Sequence, residues 1–258
     1  MRSSVVQRNQ EAGLFVGASD AFIEATTIRD TITQLADGLL GSAISVMPRA
    51  ETGERSSLQL QRSSIVANSG VGVFIGGSDA TISLTAVHDT RPDGTGRFGT
   101  GIAVQEVPSA DAAPATCTVI ATSVARSQHT GMVVFGAQLT LEDSVVTDTA
   151  NELGGLFGDG LAVLRTPSSD ATAVVRRCVV AGSERAGIAN FGASLQLDTT
   201  ALSCNAIPLN GERAHNTDAK FDDLGNNDCG CGPQAEPCKA ISAGVAPPAP
   251  LEPPASSG

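Results

Sequence analysis

Residues 12–31 read AGLFVGASDAFIEATTIRDT and residues 71–90 read VGVFIGGSDATISLTAVHDT; ten of twenty positions are identical, without a gap, at an offset of 59. A third copy, TGMVVFGAQLTLEDSVVTDT, fills 130–149, and a fourth, AGIANFGASLQLDTTALSCN, fills 186–205 after a step of 56. Self-similarity at a fixed period means one structural unit stacked on copies of itself, each covering its neighbour's apolar face. An antiparallel sandwich would not repeat twenty-residue blocks at a fixed gap.

The 59-residue unit is two turns of a smaller one. A small residue precedes a β-branched or aliphatic one by two at Ser4/Val6, Thr26/Ile28, Ser63/Ile65, Thr85/Val87, Thr122/Val124, Ser144/Val146, Cys178/Val180 and Thr200/Leu202. The steps between them run 22, 37, 22, 37, 22, 34 and 22. Twenty-two residues make a short coil, and the longer steps are the same coil carrying about 12–15 inserted residues, which repeat architectures tolerate as loops on one face. Inside a coil the period is two, with Leu139, Leu141, Ser144 and Val146 inward and Thr140 and Glu142 outward. A second strand carries a Gly-aliphatic-x-aliphatic pattern, as in Val73/Ile75, Ile102/Val104 and Met132/Val134. Stacking places like on like. It yields aliphatic columns, an inward Ser/Thr/Cys column and, five residues beyond that, a column of Asn9, Thr31, Asn68, Thr90, Ser127, Thr149, Ser183 and Asn205. Such side chains can hydrogen-bond from coil to coil and satisfy turn backbone.

With these columns the chain resembles the right-handed parallel β-helix proteins of the pectate-lyase-like superfamily, over about residues 3–206. The resemblance implies an all-β solenoid of about eight coils, with long loops on alternate coils; at ~4.8 Å per coil it would be a rod of roughly 38 Å. The insertions fall on both sides of the Gly-x-V strand, at about 30–41 with 47–57, 89–100 with 105–116, and 148–159 with 164–172. The expected organisation is a β-helix over 1–206, a Cys/Gly/Asn-rich C-terminal cap over 207–244 and a Pro-rich tail or linker over 245–258. No comparable cap precedes the first coil, so further N-terminal sequence or a partner is expected there.

Cys204, Cys229, Cys231 and Cys238 fall in the cap region. Four cysteines allow three pairings, and a tetrahedral zinc set is the rival reading. Cys229-Gly-Cys231 is tighter than the usual Cys-x₂₋₄-Cys knuckle, which favours disulfides and an extracellular, periplasmic or cell-surface location. The start, MRSSVVQR, has no apolar signal core, so a trimmed or incomplete chain is expected. Cys117 and Cys178, two coils apart in different inward columns, read as buried free thiols.

Sixteen Lys and Arg stand against 27 Asp and Glu with no basic run, which argues against nucleic acid or an anionic membrane as partner. No segment reaches the ~20 apolar residues of a membrane span. Eight Phe with no Trp or Tyr weaken any aromatic sugar-stacking platform. The resemblance brings specific chemistry to look for. Asn216-Thr217-Asp218 and Asp222-Asp223 echo polygalacturonase motifs but lie four residues apart rather than a coil apart, and no Gly-His-Gly follows. Thr90-Arg91-Pro92-Asp93 lacks the Arg-x-Pro-x-x-Arg spacing of pectate lyases. These near matches read as chance.

One constellation stands out on register alone. Four residues past the inward column come Asp89, Arg126 and Asp148, stacked neighbours with two carboxylates ~9.6 Å apart and His88 and His129 nearby. That separation suits an inverting hydrolase; the competing reading is an ion-pair ladder, because an Arg beside two acids holds both ionised. The outward row of the Gly-x-V strand (Phe15, Ser45, Phe74, Ala103, Val133, Ala162, Ala189) is either packed under the loops or the floor of a loop-walled groove in which Phe15, Phe74 and Val133 bind a polymer or partner chain. No cofactor is required; Ca²⁺ has weak candidates in Asp93, Asp111, Asp159 and Asp170, and in Asp222, Asp223 and Asp228 with Asn226 and Asn227. The leading reading is a non-catalytic surface β-helix acting as spacer or binding module for a polysaccharide or surface protein. The alternative is a polysaccharide lyase or glycoside hydrolase working in the groove.

Overall fold

The computed structural model describes residues 1–33, 41–107, 113–152, 155–234 and 236–251. The backbone winds eight times through three strands, and like strands stack into three eight-stranded, all-parallel sheets. Each coil runs through a three-residue strand (Val5–Gln7 in the first coil), a six-residue strand (Ala12–Gly17) and a five-residue strand (Asp20–Glu24). In the last coil the corresponding strands are Ala201–Ser203, Ile207–Glu212 and the shorter Lys220–Asp223. This is the right-handed parallel β-helix expected from the repeat.

The register follows the 22-residue arithmetic. Val6, Ile28, Ile65, Val87, Val124, Val146, Val180 and Leu202 stand side by side through the three-residue sheet. On the five-residue sheet the inward pairs Leu58/Leu60, Ala80/Ile82, Leu139/Leu141, Ala173/Val175 and Leu195/Leu197 are all buried. The glycine of the Gly-x-V pattern is required by closeness: a Cβ on Gly72 would lie 2.4 Å from the carbonyl oxygen of Gly101 in the next coil.

The inward Ser/Thr/Cys column is a continuous ladder. Thr26, Ser63, Thr85, Thr122, Ser144 and Thr200 each donate their hydroxyl to the carbonyl two residues before, at 2.6–3.1 Å. Each of the hydroxyls of Ser63, Thr85, Thr122 and Ser144 also accepts the backbone N–H of the column residue one coil earlier, at 3.1–3.4 Å. Cys178 fills one rung, its thiol donating to the Arg176 carbonyl at 3.0 Å. The second polar column is buried at most positions, and among the described residues its coil-to-coil bonds come from asparagine: Asn68 Oδ1 takes the Thr31 N–H, and Asn205 Oδ1 the Ser183 N–H. The hydroxyls of Thr31, Ser127, Thr149 and Ser183 have no partner.

Two columns of left-handed backbone turn the corners. One holds Ala25, Arg62, Leu84, Ala121, Asp143, Arg177 and Thr199; the other holds Arg8, Asp30, Ala67, Asp89, Arg126, Asp148, Gly182 and Cys204, with φ of 54–68°. Asp tolerates this conformation better than most residues, which gives Asp30, Asp89 and Asp148 a structural reason to recur at 59-residue spacing.

Past residue 206 the winding continues: two strands of the eighth coil lie in the region expected as cap. A partial ninth turn follows, Asp228 pairing with Ala201 and Ile241 with Asn210. Disulfides Cys204–Cys231 and Cys229–Cys238 pin it. Cys117 and Cys178 are free and buried, and burial pushes their thiols up to about 12 and about 11. No helix is long and apolar enough to cross a membrane among the described residues.

Candidate functional site

The six-residue sheet is the face flanked by loops, because every long step of the repeat adds residues before and after this strand. Its outward row is in register from Phe15 through Ser45, Phe74, Ala103, Val133 and Ala162 to Ala189. Phe15, on the first coil, is 62% exposed, whereas Phe74 and Val133 are 3% and 2% exposed. Phe74, Ala103, Val133, Ala162 and Ala189 belong to a second hydrophobic core outside the helix, joined by Phe135, Leu164 and Phe191 two residues on in the same strands and covered by Phe98 and Leu251 from a loop and the C-terminal segment. For Phe74 and Val133 the structure therefore follows the packing alternative: the loops and C-terminal segment close over them because the row of Ser and Ala leaves room for aromatic side chains. Among the described residues Phe74 and Val133 are covered, and of the three only Phe15 keeps a free apolar surface.

The Asp89–Arg126–Asp148 column lies on a corner, at bend positions. Arg126 pairs two-pronged with Asp89, Nε to Oδ1 at 2.6 Å and Nη2 to Oδ2 at 2.9 Å. His88 Nδ1 is 3.3 Å from Asp89 Oδ2 and 3.4 Å from Arg126 Nη2. Asp148 acts on Arg126 only through its charge. The Arg126 hydrogen bonds hold the Asp89 carboxyl down at about 2, with His88 adding to the effect, and Asp89 in turn raises Arg126. A carboxyl held there stays ionised at neutral pH, suited to binding a cation or orienting a sugar hydroxyl and unsuited to donating a proton.

A polar cluster around His129 lies at the upstream edge of the same sheet. His129 is 4% exposed, its ring between Phe98 (centroids 6.1 Å apart) and Phe157 (4.4 Å). Its Nδ1 is 2.7 Å from Thr130 Oγ1 and 3.4 Å from Thr100 Oγ1. Burial pushes the imidazole down to about 4, the nearby Arg185 charge adding to the shift. Arg185 itself clamps the fully buried Asp159 and lies over the Phe157 ring. Burial raises the Asp159 carboxyl, opposed by the Arg185 hydrogen bonds. The sequence did carry a signal for this cluster: Phe98-Gly99 and Phe157-Gly158 are 59 residues apart, so they stack on either side of whatever the intervening coil presents. His215, by contrast, is exposed in the C-terminal region.

The residues weighed for Ca²⁺ are engaged locally. Asp93 Oδ1 accepts from the Thr95 N–H, the Thr95 hydroxyl and the Arg97 N–H. Asp170 pairs with Arg165, and Asp111 lies outside the described residues. Asn227 links Thr200 N–H, the Leu197 carbonyl and Asp223, continuing the inward ladder by one rung. Asp228 caps Gly230 and Glu236, and Asp222 meets Gln196. Among the described residues no three His, Cys, Asp or Glu side chains are grouped to hold one metal ion.

The fold defines an architecture, the right-handed parallel β-helix. Solved structures of that architecture superpose on most of the chain. The periplasmic alginate epimerase AlgG covers 84% of it with a TM-score of 0.58 at 12% identity, and pectate lyase Pel9A covers 87% with 0.55 at 12%. Full-length tailspike protein 2 from an Escherichia coli O157:H7 bacteriophage covers 85% with 0.51 at 12%. The chain spans 49%, 58% and 33% of those three proteins, so the likeness is one of fold over part of each. No family model and no curated protein matches the sequence.

Proposed function

We propose that the chain is a non-catalytic β-helix of an extracytoplasmic surface protein, a rigid module that binds or spaces and does not cleave. The observation that carries this reading is the roof over the six-residue sheet: the face with loops on both sides is filled by the protein's own Phe74, Phe98, Phe135 and Phe191. The charged corner supports it, since Asp89 is locked by Arg126 as a permanent anion. The disulfides support an oxidising compartment. A polysaccharide is the partner favoured by analogy with an alginate epimerase and a pectate lyase of the same fold.

The second reading, action on an extended polysaccharide, draws on the same analogy and on one observation: Asp89, Arg126 and His88 converge at an accessible corner. The chain should be incubated with uronic-acid and neutral polysaccharides, assaying reducing ends, unsaturated product and uronate epimerisation alongside retention in affinity electrophoresis. Retention without product is the expected result. Any product that disappears with Asp89→Asn would replace the binding reading with an enzymatic one.

A further inference from the structure

The segment Val245–Leu251, VAPPAPL, lies back along the rod. Val245 is half-buried and Pro248 and Leu251 are buried, whereas Ala246, Pro247, Ala249 and Pro250 are exposed. An inward period of three is that of a polyproline II helix, which has three residues per turn and no internal hydrogen bonds. Its main-chain groups are met by side chains of the rod. The Leu251 N–H donates to Gln105 Oε1 at 2.8 Å, and Gln105 Nε2 donates back to the Leu251 carbonyl at 2.9 Å. Arg185 Nη1 donates to the Ala246 carbonyl at 2.8 Å. Gln105 is itself only 6% exposed, at the end of a six-residue strand.

An amide that takes both the N–H and the C=O of one residue recognises an extended main chain whatever its side chain, as an edge strand does. Selectivity then comes from the apolar contacts. Leu251 enters the second core. Pro247, Pro248 and Pro250 line a cavity of 440 Å³ together with Phe135, Leu164 and Phe191. A proline-rich segment loses little conformational entropy when it docks, because it is already extended.

We propose that this cleft is a docking site for an extended proline-rich polypeptide, occupied in cis by residues 245–251 and taken in trans by a partner segment of the same chemistry when that strap lifts. The tether gives the strap an effective concentration in the millimolar range, so a partner competes poorly until the strap is released. The proposal stands whether or not the protein cleaves or binds polysaccharide.

The test uses the full chain and a labelled VAPPAPL peptide followed by fluorescence anisotropy. Leu251→Asp places a charge in the apolar roof and releases the strap; replacing 245–251 with Gly/Ser of equal length does so without adding charge. Both should bind the peptide at least tenfold more tightly than the wild type, and adding Gln105→Ala should abolish that binding. Circular dichroism melting checks that the rod stays folded, and hydrogen exchange at Leu251 should show protection only in the wild type. Failure of both released variants to bind the peptide would overturn the proposal. So would binding indifferent to Gln105→Ala, or a wild-type Leu251 amide that exchanges freely.

Discussion

Two hydrophobic cores lie back to back across the six-residue sheet, and they are built differently. The inner core is aliphatic, with Ile44, Val46, Val73, Ile75, Ile102, Val104, Val134, Leu161 and Val163 on this sheet and no fully buried Phe anywhere. The outer core puts Phe74, Ala103, Val133, Phe135, Ala162, Leu164, Ala189 and Phe191 on the sheet and brings Phe98 and Leu251 over them. Inside the coil every neighbour sits one strand spacing away, so small and aliphatic side chains stack in columns, Leu58 against Ala80 and Leu139 against Ala173, and β-branched or aliphatic side chains do that at low entropic cost. Outside it the neighbours are loops of irregular path, and large flat rings fill the irregular gaps. Repetition specifies the first core; particular residues specify the second.

The largest expected effect tests whether the second is a core at all. Leu141→Ala in the inner column should cost about 3–4 kcal/mol, and Phe74→Ala should cost about 3 kcal/mol, since each leaves a buried cavity that the packed surroundings only partly refill. Equilibrium denaturation followed by circular dichroism would measure both. A loss of less than about 1 kcal/mol for Phe74→Ala beside a full loss for Leu141→Ala would make the outer layer a loose lid rather than a core.

This difference also decides what could be read from the sequence. The 22-residue step located the strands, the inward Ser/Thr/Cys column and the registers because stacking brings side chains of like kind together. Apart from Phe98-Gly99 and Phe157-Gly158 the insertions differ from copy to copy, so their path was illegible, and with it the burial of Phe74 and Val133 and the docking of 245–251. The boundary set at residue 206 marked where the sequence repeat fades, yet Ile207–Glu212 and Lys220–Asp223 still add strands, because backbone pairing survives the loss of side-chain repetition. The corner column of Asp89, Arg126 and Asp148 was placed correctly in register, but its left-handed backbone was not foreseen, and that backbone is a reason for Asp to recur there apart from any chemistry. His129 was placed near that column, but its burial between two rings had no pattern of its own; only the paired Phe98 and Phe157 pointed to it.

The next effect is a pH dependence located in the outer region. His129 titrates at about 4 when folded against an ordinary value of 6.5, so the unfolded chain binds the proton first as pH falls. Stability contributed by the neutral imidazole is present above pH 6.5 and drains away down to about pH 4, by about 3 kcal/mol in all. Asp159 and Glu152, whose carboxyls burial raises, work in the opposite sense, and Asp89 changes only at lower pH. The quantity to measure is the difference between wild-type and His129→Gln unfolding free energies across pH 7 to 4. It should shrink steadily toward acid, and a constant difference would mean that the imidazole is not held in the apolar sandwich.

The smallest effect sharpens the comparison inside the rod, between its two polar columns. Thr85 donates to the Ser83 carbonyl and accepts the Ser63 N–H, so Thr85→Val strands the buried Ser63 N–H, while the Ser83 carbonyl keeps the Arg62 N–H. That should cost about 1–2 kcal/mol. Thr149 is as deeply buried and as regular in the repeat, but its hydroxyl meets no partner. Thr149→Val keeps the shape and removes an unpaired polar atom, so it should be neutral or stabilise by up to about 1 kcal/mol. Hydrogen exchange of the Ser63 amide would show whether the first loss is local to the rung. Equal costs at both positions would mean that the second column also carries hydrogen bonds across the coils, in which case asparagine would have no privilege there over serine and threonine.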